Sequence, residues 1–476
     1  MRWLGFLFLS AGLGAGLVLN GGALPQQWNW SLLAIAVAGI CNRFARRHSL
    51  RPQAVHARSW RSSDFWITVI LFALPLWAAL QMIPLPQGLV SFLSPMRAEI
   101  ARATGSAAWI PLSIGPARTF QFLLNAVGDA VTFLVIRELA VSWRRNVWLL
   151  TLPILIFGSA EGLLGLYQFQ AGRQSGNVLP SSGTWVNSDH FSGFLEMVLP
   201  LALTGAFAAW NSGVLRREPA GGKTLKAAAA LMVAAIGLSA IVVSVSRAGF
   251  VSAIVSLVAI SLIRLFAAGA RSPAMVHIPA SARIAAGIGV LVAASAAILL
   301  LPTDELINRF ALATASTQNV SGEIRLELWR DTTKMISAYP LTGSGLGTFE
   351  SGLMLFKTAA PMNTADYAHN DYLQATAEAG IVAVLAGLIW VALVLTRAVR
   401  GVLSWENAPN HYLALGAAGS MIAILVHSLV DFNLYIPANQ MVFAWICGIA
   451  AGSALQARRV VTTSADVRVI QPVPSQ

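Results

Sequence analysis

Charge is scarce in this chain. Asp, Glu, Lys and Arg make up 11% of its 476 residues against 56% hydrophobic residues, with a mean hydropathy of +0.66. So little charge cannot clothe a water-soluble protein of this length, which excludes a string of soluble domains and leaves a membrane-embedded unit. Cysteine is scarcer still, with only two residues. Cys41 and Cys447 both fall near predicted cytoplasmic helix ends, so neither an exported disulfide framework nor a Cys/His metal cluster is indicated. Acidic residues number 20 against 32 basic ones, a net charge of +12. No basic stripe with interleaved aromatics lies in a soluble region, so this excess reads as topology signal and contact with anionic headgroups, not as nucleic-acid binding.

What is present is a succession of apolar runs. Windows of about 17 to 25 apolar residues predict spans over 3–19, 28–41, 65–83, 119–136, 147–169, 191–210, 227–245, 250–263, 284–301, 381–396, 412–430 and 441–455. That is an all-α polytopic membrane protein of about 12 transmembrane helices. The organisation follows as a membrane domain over 1–301, a long, mostly helical outer segment over 302–378, a second membrane domain over 379–456 and a tail over 457–476. Arg2 followed by an apolar run resembles a signal sequence, but the second span follows closely and no convincing small-x-small cleavage site intervenes, so the first span reads as a retained anchor.

Lys and Arg accumulate in loops kept in the cytoplasm. With the N-terminus inside, Arg2, the arginines from Arg43 to Arg61, Arg137, Arg144, Arg145, Arg216, Arg217, Lys223, Lys226, Arg264, Arg271, Arg283, Arg397, Arg400, Arg458, Arg459 and Arg468 all fall on that side. Both termini are then cytoplasmic. The outer side receives three sizeable segments, 84–118, 170–190 and 302–378, and water-side chemistry belongs there.

In the first of these, 88–100 predicts an interfacial helix that turns Leu89, Val90, Phe92, Leu93 and Met96 toward the headgroups. Arg247, in Ser246-Arg247-Ala248-Gly249, is a lone arginine in a tight outer turn, against the positive-inside bias. It either snorkels to lipid phosphates or offers its planar fork of donors to the diphosphate of a lipid carrier. In the longest outer segment, 322–338 predicts an amphipathic helix with Ile324, Leu328, Met335 and Ile336 on its apolar face. Arg325 and Trp329 lie on it, and pairing among Glu327, Arg330, Asp331 and Lys334 explains much of its charge. Tyr339 to Gly347 then carries Pro340, Gly343, Gly345 and Gly347, a turn that demands positive φ and reads as a shaped rim; it lacks the lysine of a phosphate loop.

His369 closes the segment within Tyr367-Ala368-His369-Asn370-Asp371-Tyr372-Leu373. Histidine exchanges protons near neutrality and could deprotonate an acceptor hydroxyl, although a loop histidine is also an ordinary structural residue. Asn370 can cap the following helix. Glu161 and Glu196 lie inside spans, which is costly unless they face a cavity or a partner. Asn187, Ser188 and Asp189 read as caps of the next helix, which leaves His190 at the interface. His427 and Asp431 stand four apart, at the spacing of one helix face.

Taken in order, several motifs resemble the O-antigen ligase and polymerase superfamily, often labelled Wzy-C, over most of the chain. They are Gly183-Thr184-Trp185-Val186-Asn187 with His190-Phe191-Ser192-Gly193-Phe194, the Arg247 turn, Arg325 with Trp329, Pro340-Leu341-Thr342-Gly343-Ser344-Gly345, and His369-Asn370-Asp371-Tyr372-Leu373 with Glu378-Ala379-Gly380. The resemblance implies a GT-C-like fold and a metal-independent, inverting glycosyltransferase without cofactor, in the bacterial inner membrane, with its active site facing the periplasm. Its donor would be a glycan on undecaprenyl diphosphate, with Arg247 and Arg325 holding the diphosphate and His369 activating the acceptor. Trp329, Asn370, Tyr372, His190 and Glu161 are the further residues that could line the site. Departure of a diphosphate develops negative charge that needs cations, and no acidic cluster stands ready to hold Mg²⁺ in their place.

The acceptor is the open question. The resemblance serves lipid A-core ligases foremost, then polymerases that extend a growing glycan, then protein O-glycosyltransferases. A flippase for lipid-linked oligosaccharides would also need many helices and cationic headgroup contacts. It would concentrate its polar residues near the bilayer midplane instead of in one outer segment.

Overall fold

The structure, a computed structural model, describes residues 1–47, 63–105, 108–143, 146–175, 180–215, 219–269, 322–358, 364–404 and 409–467. The described helices begin with α1 (Arg2–Val18), α2 (Pro25–Arg47), α3 (Ser63–Met82), α4 (Gln87–Leu93), α5 (Pro95–Ala103) and α6 (Pro116–Ser142). Next come α7 (Leu152–Ser175), α8 (Ser188–Leu215), α9 (Ala220–Val243) and α10 (Arg247–Gly269). The chain continues with α11 (Gly322–Ala338), α12 (Phe349–Leu353), α13 (Asp371–Ala379), α14 (Ile381–Ser404), α15 (Pro409–His427) and α16 (Pro437–Val467). A two-stranded antiparallel ribbon pairs β1 (Leu85–Pro86) with β2 (Trp109–Ile110).

Among the described residues, seven helices are long and apolar enough to cross a membrane: α3, α6, α7 with the turn that leads into it, α8, α9, α10 and α14. The shorter α1 is also apolar. Helices suit that setting because each satisfies its own backbone hydrogen bonds where no water is at hand. The spans expected over 28–41, 412–430 and 441–455 fall on α2, α15 and α16. The one expected over 284–301, and residues 302–321 of the outer segment, lie outside the described residues. The interfacial helix expected over 88–100 is two helices. Pro95 opens α5 and holds Ser94 in extended backbone (φ −149°, ψ 79°), which breaks the apolar stripe at that point.

At the centre stands α8, whose Phe191, Phe194, Leu195, Val198 and Ala202 are buried among α9, α15 and their neighbours. Helix α16 lies closely along α6, because Gly448 and Gly452 bring their bare Cα atoms against the α6 carbonyls of Phe133 and Arg137. Trp445 of α16 is fully buried and donates to the Leu150 carbonyl at 2.9 Å.

The two ends of the bundle differ in chemistry. At one end, Asp64 on α3 pairs with Arg137 on α6 and with Arg397 on α14, the latter at 2.9 Å. Glu138 there accepts from Asn42 (2.9 Å) and Arg46 (3.1 Å) on α2. These polar links staple the ends of four helices. The opposite end carries the ribbon, α4, α5, α11, α12 and α13. There a second small core of Leu328, Met335, Tyr339, Phe349 and Leu353 is packed by Met96 and Ile100 from α5.

Candidate functional site

The turn after α11 builds the rim of the site. Gly343, Gly345 and Gly347 adopt φ of 67°, 116° and 78°, and this left-handed backbone lets the chain fold over the end of α13. Ser344 N–H donates to the Ala377 carbonyl (3.0 Å), Gly345 N–H to that of Glu378 (3.0 Å) and Ile381 N–H to that of Pro340 (3.0 Å). Gln81 locks the turn to α3, donating to the Thr342 (2.8 Å) and Glu378 (3.0 Å) carbonyls and accepting from Leu346 N–H (3.0 Å). The Glu378 carboxylate accepts from Gly347 N–H (3.0 Å), Phe349 N–H (2.7 Å) and the Tyr435 hydroxyl (2.9 Å). Burial pushes Glu378 up to about 7 against those donors.

Beneath this rim, α13 starts at a capping residue. Asn370 accepts from Leu373 N–H at 3.0 Å and donates to the Leu429 carbonyl at 2.8 Å, as its position before a helix leads one to expect. Its neighbour His369 has φ +49°, a strained conformation for a residue with a side chain. The strain coincides with a contact: His369 Nδ1 stands 3.2 Å from Asp431 Oδ1, while its ring meets Phe432 edge-on at 4.9 Å.

Asp431 is the hub. Only 1% exposed, it faces His369 through one oxygen and, through the other, His190 Nε2 at 3.6 Å and His427 Nε2 at 4.0 Å. Burial alone pushes its carboxyl up, but His190 foremost, with the hydrogen bond from His369 and the charge on His427, brings it below the usual carboxylate range. Behind it, His427 Nδ1 and Glu196 Oε2 are 3.0 Å apart with both side chains fully buried. His190 also packs on Phe432 at 4.5 Å, and Tyr367 stacks on the same ring at 4.0 Å.

Arg325 and Trp329 reach this hub from α11. Trp329 donates to the Ala368 carbonyl at 2.9 Å, next to His369. Arg325 donates through Nη1 to the Val430 carbonyl at 3.2 Å and lies 3.9 Å from Asp189 through Nη2. Its Nε is buried and has no partner among the described residues, while its two Nη groups carry N–H donors beyond those turned to Val430 and Asp189. Arg247 opens α10, exposed, in a turn where Gly249 packs directly on Ser192 of α8. Ser192 is one helical turn from Asp189, which brings the Arg247 turn to the same end of α8 as Arg325's partner.

Tyr372 is engaged by α15, its hydroxyl donating to the Leu425 carbonyl at 2.7 Å. Burial, then the charge on Asp371, pushes that hydroxyl up to about 12. Glu161 stands apart from the hub: it accepts from Thr184 N–H (3.0 Å) and the Thr184 hydroxyl (2.8 Å), and so fastens the turn before α8. Sequence reasoning treated Asp431 as a helix-face partner of His427 and gave Phe432 and Tyr367 no part. The four-residue spacing of His427 and Asp431 was the available signal. Among the described residues, no group of three or more His, Cys, Asp or Glu is arranged to hold a metal ion.

Residues 230–388 match the Wzy_C family, described as O-antigen ligase. The match supports the resemblance to the O-antigen ligase and polymerase superfamily, whose members are glycosyltransferase-like membrane enzymes. It takes in Arg247, Arg325, Trp329, His369, Asn370 and Tyr372, whereas Asp431, His190 and Glu161 lie beyond the Wzy_C match. No curated protein matches the chain.

Proposed function

We propose that this protein is an inverting glycosyltransferase that moves a glycan from undecaprenyl diphosphate to an acceptor hydroxyl at the periplasmic face of the bacterial inner membrane. The acceptor is lipid A-core, making the reaction that of an O-antigen ligase, in line with the family description. The observation that carries this reading is the pairing of His369 with Asp431 at 3.2 Å, beside an arginine with unspent donors.

The chemistry follows from that pairing. With Nδ1 engaged by Asp431, Nε2 is the nitrogen left to take a proton, and the buried carboxylate stabilises the imidazolium that forms. The acceptor oxygen attacks the anomeric carbon and passes its proton to Nε2. A new C–O bond forms as the bond to the diphosphate breaks, and the carrier departs with the electron pair. Arg325 and Arg247 supply the positive charge that the departing diphosphate requires, which is the part a metal plays elsewhere. The energy for the bond is already stored in the lipid-linked donor, so a compartment without nucleotide sugars is no obstacle.

A strain lacking the protein tests the acceptor assignment by gel and mass spectrometry of its glycolipids. Loss of a ligase leaves long glycan chains attached to the carrier and lipid A-core without them. Accumulation of single lipid-linked repeats would instead mark a repeat-unit polymerase, and overturn the ligase assignment.

A further inference from the structure

The first turn of α8 touches three parts of the site. Asp189 faces Arg325, Ser192 lies against Gly249 of the Arg247 turn, and His190 between them in sequence faces Asp431. The transfer chemistry gives His190 no part. Only 6% exposed, it is too enclosed to meet a substrate, so any role it has is exerted through a neighbour.

Its surroundings aim the ring. Asn439 of α16 donates to the His190 carbonyl at 3.2 Å and to Asn433 Oδ1 at 3.0 Å. Gly193, one turn further along α8, lets the loop carrying Asn433 come close, because a side chain there would collide with the Asn433 amide. The imidazole then meets Phe432 edge-on at 4.5 Å, with Nε2 3.6 Å from Asp431 Oδ2. That Nε2 is buried and has no hydrogen-bond partner among the described residues, whereas buried polar atoms ordinarily have one. The separation is too long for a hydrogen bond by about 0.5 Å, a gap that catalytic contacts commonly close when substrate binds.

Asp431 has use for such a partner. Its Oδ1 serves His369 at 3.2 Å, and a carboxylate held firmly at one oxygen alone turns readily about its last torsion. The other groups around Oδ2 hold it less well. His427 stands further off, at 4.0 Å, and gives its Nδ1 to Glu196, while Asn433 Nδ2 is at the limit of hydrogen bonding at 3.5 Å. An N–H from a neutral His190 fixes Oδ2 without cancelling the negative charge that His369 needs when it becomes an imidazolium.

Resting on the transfer reaction proposed above, we infer that His190 is a positioning residue, which donates from Nε2 to Asp431 Oδ2 and so keeps Oδ1 turned to His369. His190→Leu removes the donor, and His190→Gln supplies an uncharged N–H at similar reach. In the purified full chain, His190→Leu should lower turnover about 10- to 100-fold, the worth of one hydrogen bond to a charged group. Donor affinity should stay within about twofold of native. His190→Gln should recover most of the lost turnover. Because the effect passes through Asp431, adding His190→Leu to Asp431→Asn should slow transfer by no more than a further factor of about two.

Nitrogen-15 NMR of the histidine-labelled protein in nanodiscs reads the contact itself. Of its seven histidines, the one whose N–H signal disappears in His369→Ala reports the bond to Asp431. That signal should weaken in His190→Leu and persist in His190→Gln. Should the leucine variant not fold, His190→Asn, whose shorter amide stops short of Oδ2, takes its place with the same expectations. An unchanged His369 signal in His190→Leu overturns the proposal, and so does native turnover in that variant. Losses that add in the double variant overturn it too, as does a His190→Gln protein with the native thermal midpoint that is as slow as His190→Leu. The NMR signal is read without turnover, so a failure of the transfer reaction is told apart from a failure of this contact.

Discussion

His369 Nδ1 and Asp431 Oδ1 stand 3.2 Å apart across 62 residues of sequence, the imidazole 17% exposed and the carboxylate 1%. A buried carboxylate on one ring nitrogen fixes which nitrogen faces the substrate. Asp431→Asn keeps the shape but loses that control and the charge. Transfer turnover should fall by about 10² to 10⁴, with donor affinity within about twofold of native. Steady-state transfer by the purified variant, with donor binding measured separately, checks this; full turnover would remove Asp431 from the account.

Arg325 offers a second test, because the Val430 carbonyl takes only one of its guanidinium donors, through Nη1 at 3.2 Å. Arg325→Lys keeps a charge but loses the planar fork. Donor affinity should fall about tenfold or more, and Arg325→Ala should fall further. If Arg325 and Arg247 grip one diphosphate, the Arg247→Ala and Arg325→Ala losses will not add in the double variant. Isothermal titration with undecaprenyl diphosphate measures it, and strict additivity would separate the two arginines.

Glu378 links stability to pH. Burial raises its carboxyl to about 7 from an ordinary 4.5, so the folded protein holds a proton that the unfolded chain releases between those values. Its stabilisation is full below about 4.5 and is lost as pH rises through about 7, a change of roughly 3 kcal/mol at most. Thermal unfolding in detergent should show the midpoint falling across that range. Glu378→Gln should flatten the slope while lowering the midpoint at acid pH, since its amide cannot accept at both ends.

Glu196 and His427 form a pair with no exposure at all, 3.0 Å apart. Removing one partner strands the other, so Glu196→Ala should cost about 3–5 kcal/mol. The double replacement by leucine should recover most of that loss, as a packed apolar pair of similar volume does. Denaturation midpoints of the three proteins decide it.

Much of this site is legible in sequence because polar residues in an apolar chain announce themselves. Arg325, Trp329, His369 and Asn370 share the one long polar stretch of the sequence, and Asn370 caps α13 as its position predicts. Asp431 is different. A single aspartate after an apolar run reads as a helix end, and its importance arises only where α8, α15 and the loop before α13 converge on it. Glu161, an acid within a span that the sequence requires to face a cavity or a partner, has Thr184 as its partner. The helix expected over 88–100 fails at Pro95, whose effect on Ser94 overrides a continuous apolar pattern.

The central claim is that His369 takes the proton from the acceptor. The most direct measurement is single-turnover transfer by purified His369→Ala, with binding of the undecaprenyl-diphosphate donor measured on the same preparation. The account predicts that donor binding is retained while the rate of transfer falls by at least about 10². Transfer at the native rate in that variant would contradict it.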